Sequence, residues 1–381
     1  MNEPGSILIF TDWFEPGYLA GGPIRSLANL TKSLSKQFKI DVFTSNRDFQ
    51  SETPYNLEAD TWQDKGGFRV WYGSRERYSW RELKRLIKHK SYDKIYLNSL
   101  FSFRYTLMPL LCARLNGISP KQIVIAPRGM LGAGSLSLKS GKKKAFLSFV
   151  KLSGFFNGLT WHATNEGELK DIKTHFGDQA QAILAQNIPH PDLQTSPKSM
   201  SSKSVISLAF VGRISKVKNL KFALSCLSKY AEPSRFRIDL YGTPEEESYL
   251  QELLEYKQSH DLNMTYHGSI PYNQVAEKLR QADFLVLPSL NENYGHVIFE
   301  SLASGTPVLI SNQTPWRELQ KHNVGWDAPL HPNDWKNALK AIMALSESDY
   351  LKMSQDSINY AKNHLDHIDL SAYFRLFATD N

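Results

Sequence analysis

Apolar runs of strand length recur along the chain at 6–10, 39–44, 67–72, 94–98, 122–126, 159–163 and 182–185, then at 205–211, 236–241, 264–268, 282–288 and 306–310. Most are apolar nearly throughout, the mark of strands buried on both faces. Between them lie amphipathic stretches with helical period, at 24–36, 80–89, 246–257 and 272–280. Two more close the chain, at 335–345 and 349–364, before an amphipathic tail at 370–377. Strand–helix–strand alternation predicts βαβ units and an α/β fold. A single Pro- and Ser-rich stretch without periodicity, 188–204, divides the series and reads as a linker and hinge. The expected division is a domain at 1–190, the linker at 188–204, a domain at 205–363 and a tail segment at 364–381.

Composition narrows the class. The chain has 381 residues, enough for two domains, and its 41% hydrophobic and 22% charged residues are those of a globular protein. Residues 1–6 carry no basic region and only a short apolar strand follows, which does not read as a signal peptide. No apolar run approaches the roughly 20 residues of a membrane-spanning helix. Cys112 and Cys226 fall in different expected domains among apolar neighbours and read as packing residues. A cytoplasmic location is the expectation. Charge is uneven: residues 1–200 hold 27 Lys+Arg and 17 Asp+Glu, a balance of +10, and the remainder holds 18 and 21, a balance of −3. Residues 101–150 contain eight basic residues and no acid, so the first half is expected to meet something anionic.

Candidate chemistry gathers in the second half. Residues 289–300, SLNENYGHVIFE, lie between two buried strands. A helix starting near Gly295 would leave backbone N–H groups unpartnered at its positive end, a place for a phosphate. Glu292 falls in the loop before that helix and Glu300 about one and a half turns into it, at roughly 3.6 residues per turn. Carboxylates accept hydrogen bonds from hydroxyls, so a phosphate flanked by sugar hydroxyls suits the pair. The alternative is a surface loop charge and a solvated helix residue, but Val297, Ile298, Phe299 and Leu302 make the helix apolar all round and a buried Glu needs a partner. Upstream, Gly212-Arg213 and Lys218-Asn219 follow a strand. There Arg213 and Lys218 can clamp a diphosphate, or form a solvated basic loop.

The segment N-Y-G-H-V-I-F-E-S-L-A-S-G-T-P-V with its E-x7-E spacing, together with G-R-x4-K-N, resembles the retaining glycosyltransferases of family 4. The resemblance extends into the first domain through Pro127-Arg128-Gly129-Met130-Leu131, similar to the family's polysaccharide-assembly members. It implies two Rossmann-like domains facing across a cleft, the GT-B architecture, with the last helix crossing back to the first domain. It implies that Glu300 binds the donor ribose and Glu292 the transferred sugar. Tyr294, Gly295, His296 and Val297 would face sugar and diphosphate, and the turn at Ile270 the nucleotide base. Gly21 and Gly22, after the first strand, would approach the donor from the other side. Catalysis would fall to Glu292, Arg213 and Lys218, and the acceptor side to Arg128 and Asn98. Asn98 stands near where many members carry a histidine.

The sequence holds no Asp-x-Asp pair and no His/Cys cluster with metal spacing, so neither metal nor cofactor is expected. Expected partners are a nucleoside diphosphate sugar, most simply a UDP-sugar, and a saccharide or lipid-linked saccharide acceptor, with no nucleic acid. Two other functions stay open: a nucleotide-sugar epimerase on this architecture, and a non-catalytic nucleotide-sugar-binding subunit. From its residues alone, Arg128 reaches toward an acceptor or is a surface arginine beside a turn. Residues 138–156, lysines followed by Phe146, Phe149, Val150 and Leu152, form either an interfacial helix on an anionic membrane or an ordinary helix packing its aromatics inward. His162 reads as a satisfied core residue, and Asn165 with Glu168 as a capping box.

Overall fold

The computed structural model describes residues 5–89, 92–132, 136, 140–189, 193–202, 204–230 and 233–378. It forms two compact units: Met1–Ile188 with Asp369–Asn381, and Pro189–Ile368.

In the first unit, β1 (Ser6–Phe10) leads to α1 (Gly22–Leu34), β2 (Lys39–Ser45), β3 (Trp62–Asp64), β4 (Phe68–Gly73) and α2 (Trp80–His89). β5 (Lys94–Leu97) follows, then a π-helical turn (Phe103–Leu107) running into α3 (Met108–Leu115). β6 (Ile123–Ile125), α4 (Ser140–Leu152), β7 (Thr160–Ala163), α5 (Glu166–Phe176) and β8 (Gln181–Leu184) complete it. The sheet order is β3-β4-β2-β1-β5-β6-β7-β8. Every pair is parallel except β3–β4. Ile7 to Phe10 are all buried, as a central parallel strand with helices on both faces requires.

The second unit runs β9 (Ile206–Val211), α6 (Leu220–Tyr230), β10 (Phe236–Tyr241), α7 (Glu247–Ser259), β11 (Met264–Tyr266) and α8 (Tyr272–Gln281). β12 (Phe284–Leu287), α9 (His296–Ala303), β13 (Val308–Ser311), β14 (Gly325–Ala328), α10 (Pro332–Ala344) and α11 (Glu347–Asp366) follow. Its parallel sheet is ordered β11-β10-β9-β12-β13-β14. The tail helix α12 (Ser371–Phe377) returns to the first unit. There the Tyr373 hydroxyl donates to the Gln186 carbonyl (2.6 Å), and Phe374 and Phe377 pack on Phe38.

Several segments differ from the sequence reading, among them β14 and α3, which no expected run covers. Between the apolar runs at 39–44 and 67–72 lies β3, which no expected run covers and whose Trp62 packs on Trp71 across the antiparallel pair. The expected linker is largely part of the second unit. Gln194 N–H donates to the Ala303 carbonyl (3.0 Å), Lys198 N–H to Ser354 Oγ (2.9 Å), and Ser201 through both its N–H and its hydroxyl to Asp283 (2.7 Å each). The Lys198 ammonium donates to the carbonyls of Arg280 and Ala282. Burial pushes its pKa down to about 7. The stretch lacks periodicity because it is strapped down by single polar groups, not by an apolar face.

Candidate functional site

From β9 the second unit's chain moves outward to β10 and β11, then returns to place β12 on β9's other side. The strand order therefore reverses between β9 and β12, and ligands of open parallel sheets bind outside the strand carboxyl ends at such a point. The loops there are 212–219 and 288–295. They are stitched together: Leu290 N–H donates to the Val217 carbonyl (2.7 Å), and Glu292 N–H to the Gln313 carbonyl (3.0 Å).

Three of the expected catalytic residues meet or border this crevice. Lys218 ends a 3-10 turn, Lys216–Lys218, and its ammonium ion-pairs with Glu292. Glu292 Oε1 also accepts the Ser289 hydroxyl (2.7 Å). The two charged side chains are only 19% and 10% exposed, so their attraction is weakly screened. Arg213 stands on the rim, 36% exposed and 3.3 Å from Glu245. Ser289 was not anticipated, although a hydroxyl three residues before a loop glutamate is a pairing the sequence does display.

The start of α9 depends on Gly295. Its φ of 78° lies in the left-handed region, and a Cβ there would stand 2.7 Å from Ile298 Cδ1. No side chain caps this helix end. α9 buries His296, Ile298, Phe299, Ser301, Leu302 and Ala303, while Val297 and Glu300, three residues apart, are half-exposed on its remaining side. The helix is largely buried, as expected, and Glu300 shares its half-exposed side with Val297.

The other donor candidates separate. Tyr294 is buried, its hydroxyl 3.0 Å from His364 Nε2 and its carbonyl accepting the Trp316 indole N–H (2.6 Å). Burial lowers the His364 pKa. His296 is buried with its ring centroid 4.7 Å from Tyr294's. These two side chains anchor the loop inward, and what they offer outward is backbone. Ile270 is half-buried against the unit's core before α8.

The first unit has its own reversal point, between β1 and β5. Gly21 caps α1 with φ 69°, and an added Cβ at Gly21 or Gly22 would meet no atom within 4 Å. Asn98 and Arg128, both expected on the acceptor side, are bonded to each other. The Arg128 guanidinium donates to Asn98 Oδ1 (2.7 Å), Asn187 Oδ1 (2.7 Å) and the Tyr96 hydroxyl (2.8 Å). Tyr96 in turn donates to His162 Nδ1 (2.7 Å), because His162 Nε2 must donate to the Ala185 carbonyl (2.8 Å). His162 is thus held neutral: burial, then the Arg128 charge, push its pKa down to about 3. It is a satisfied core residue, as expected. The capping box is half realised. Asn165 Oδ1 accepts the Glu168 N–H (2.8 Å), but the Glu168 carboxylate accepts from Thr164 and the Gly129 N–H instead.

Among the described residues no group of three His, Cys, Asp or Glu side chains could hold a metal ion, and no helix is long and apolar enough to cross a membrane.

Comparison with known proteins agrees with this architecture. Residues 194–364, close to the second unit, match the family model of Glycosyl transferases group 1. An uncharacterized glycosyltransferase of Methanocaldococcus jannaschii is 27% identical over 164 residues, 40% of this chain and 42% of that protein. The matched stretch thus spans well under half of this curated relative. Among solved structures, sucrose-phosphate synthase from Thermosynechococcus elongatus superposes with TM-score 0.73 at 16% identity, covering 98% of this chain and 99% of the other. HepE of Anabaena in complex with UDP and glucose gives 0.71 at 15% identity, covering 98% of each. The fold is that of these two-domain GT-B proteins: α/β, with two parallel-sheet Rossmann-like units.

Proposed function

We propose that this chain is a retaining, metal-independent glycosyltransferase of the family 4 type. It moves a sugar from a UDP-sugar to a saccharide acceptor, in the assembly of a surface polysaccharide or lipid-linked glycan. The observation that carries the reading is the Lys218–Glu292 pair at the β9/β12 reversal point, beside the uncapped start of α9. The group 1 match over residues 194–364 supports it independently, and the bound UDP of the Anabaena neighbour supports the choice of base.

Lys218, Arg213 and the first amides of α9 hold the diphosphate. They oppose the negative charge that grows on it as the sugar leaves. Arg213 supplies a planar fork and Lys218 a point charge. Glu300 accepts hydrogen bonds from the ribose hydroxyls and Glu292 from the sugar. The bond from the sugar's anomeric carbon to phosphate oxygen breaks. The acceptor oxygen forms its bond on the same face, and its proton passes to the departing phosphate oxygen. Charge on the leaving group is met by protein cations and dipoles, so no metal takes part.

The product's anomeric configuration, read by NMR from a reaction run in a chelator, tests this directly. The donor's configuration is expected to be retained at full rate. An inverted product, or loss of rate in the chelator, overturns the corresponding part of the proposal. A second reading, a nucleotide-sugar-binding subunit without catalysis, is favoured by Asn98, which is committed to Arg128 and Thr11. In that case no acceptor would yield product and Glu292→Ala would change nothing.

A further inference from the structure

Apart from Tyr18, Trp80 and Phe374, the large apolar side chains that the first unit exposes lie in or just before two helices. On α3, Leu111 and Leu115 are four residues apart, and Leu115 is 69% exposed. On α4, Phe149 and Leu152 are three apart, 65% and 90% exposed. Phe103, in the π-helical turn before α3, is exposed too. The segments around the two helices meet at two places. At one end Phe101 meets Phe146 (5.4 Å) beneath the Lys143 ammonium; at the other Arg114 donates to the Asn157 carbonyl (2.7 Å). Both helices also bury an inner face, Leu110, Cys112 and Ala113 on α3, Leu147 and Val150 on α4. The expected alternatives for 138–156 are therefore both partly realised: Phe146 and Val150 pack inward, and Phe149 and Leu152 do not.

Single exposed apolar residues are ordinary, but several of them on two helices whose flanking segments meet mark an interaction surface. Its charge selects the partner. α2, alongside α3, exposes Arg81, Lys84, Arg85 and Lys88. Lys84 and Lys88 lie within electrostatic reach of Cys112 on α3. Arg104 and Lys121 are exposed as well, in a stretch, 101–150, with eight basic residues and no acid, and so is Lys151 just after it. A second copy would bring like charge against like charge. An anionic bilayer complements the bases and accepts the apolar ridge between its headgroups. We infer that α3 and α4 form a docking face for an anionic phospholipid bilayer, with Leu111, Leu115, Phe149 and Leu152 entering the interface and the α2 bases against headgroups. The inference goes beyond sugar transfer and does not depend on it.

Co-sedimentation of the full chain with vesicles tests it. Equimolar phosphatidylcholine–phosphatidylglycerol vesicles should bind the protein, pure phosphatidylcholine much less, and high salt should release it. The double variant Phe149→Glu, Leu152→Glu should lose about tenfold or more in partitioning. Both side chains are exposed, so its circular dichroism and unfolding temperature should match wild type. Leu115→Glu should repeat the loss, and Leu351→Glu, an exposed leucine of the second unit, should not. Binding to neither vesicle, or unchanged binding by the α4 double variant, overturns the inference. So does a dimer in sedimentation velocity that those substitutions abolish while vesicle binding is unaffected.

Discussion

At the reversal point of the second unit, charged side chains gather in short-range ion pairs. Lys218 and Glu292 hold one another, Arg213 reaches Glu245 at 3.3 Å, and Glu300 lies on the half-exposed stripe of α9. At the corresponding place in the first unit, polar groups are used up among themselves. Arg128 spends its guanidinium on Asn98, Asn187 and Tyr96, and the chain continues through His162 to the Ala185 carbonyl. The two sheets offer the same kind of crevice, yet one presents ion pairs beside a helix start without a side-chain cap and the other a closed network.

That contrast sets the order of expected effects. Lys218→Ala should lower the turnover of sugar transfer about 10²–10³-fold, as loss of a group meeting developing negative charge does, and Glu292→Ala should lower it through loss of the proposed sugar contact. Steady-state rates with saturating donor check this, and wild-type turnover in either variant would remove the pair from the chemistry. Arg128→Met should instead cost stability, about 2–4 kcal/mol, because Asn98 and Asn187 lose a charged donor while largely buried. Nucleoside diphosphate affinity should stay at the wild-type value, and Arg128→Lys should recover little, lacking the fork. Denaturant unfolding and calorimetric titration separate the two outcomes.

Smaller effects refine the picture. Glu300→Gln keeps shape but removes charge from the proposed ribose contact, and should weaken UDP binding about tenfold by titration calorimetry. His162 supplies a pH signature of the closed network. Its folded pKa, about 3, lies below the ordinary 6.5, so the unfolded chain takes up the proton first as pH falls. Its contribution to stability is full above pH 6.5 and is lost as pH drops toward 3. His162→Gln, which does not titrate, should flatten the stability profile in that window.

Much of the open site was legible in the sequence. The pattern strand, Gly295, helix, strand fixes where α9 begins, and Arg213 and Lys218 follow β9 at short range. The closed network was not legible, because Arg128 finds partners 30, 59 and 32 residues away, a matter of strand order. The inward turn of Tyr294 was hidden likewise, its partner His364 lying 70 residues on. The linker misled because single polar anchors, such as Ser201 on Asp283, leave no period to read.

Thermal unfolding with UDP and no metal, on wild type and on Arg213→Ala, Lys218→Ala and Arg128→Met, decides whether the open crevice of the second unit is a nucleotide site. At about a hundredfold excess over Kd, binding to the folded state should add roughly 2.7 kcal/mol. The shift should vanish in Arg213→Ala and Lys218→Ala and persist in Arg128→Met. No shift with any nucleoside diphosphate, or a full shift in Arg213→Ala and Lys218→Ala, would contradict it.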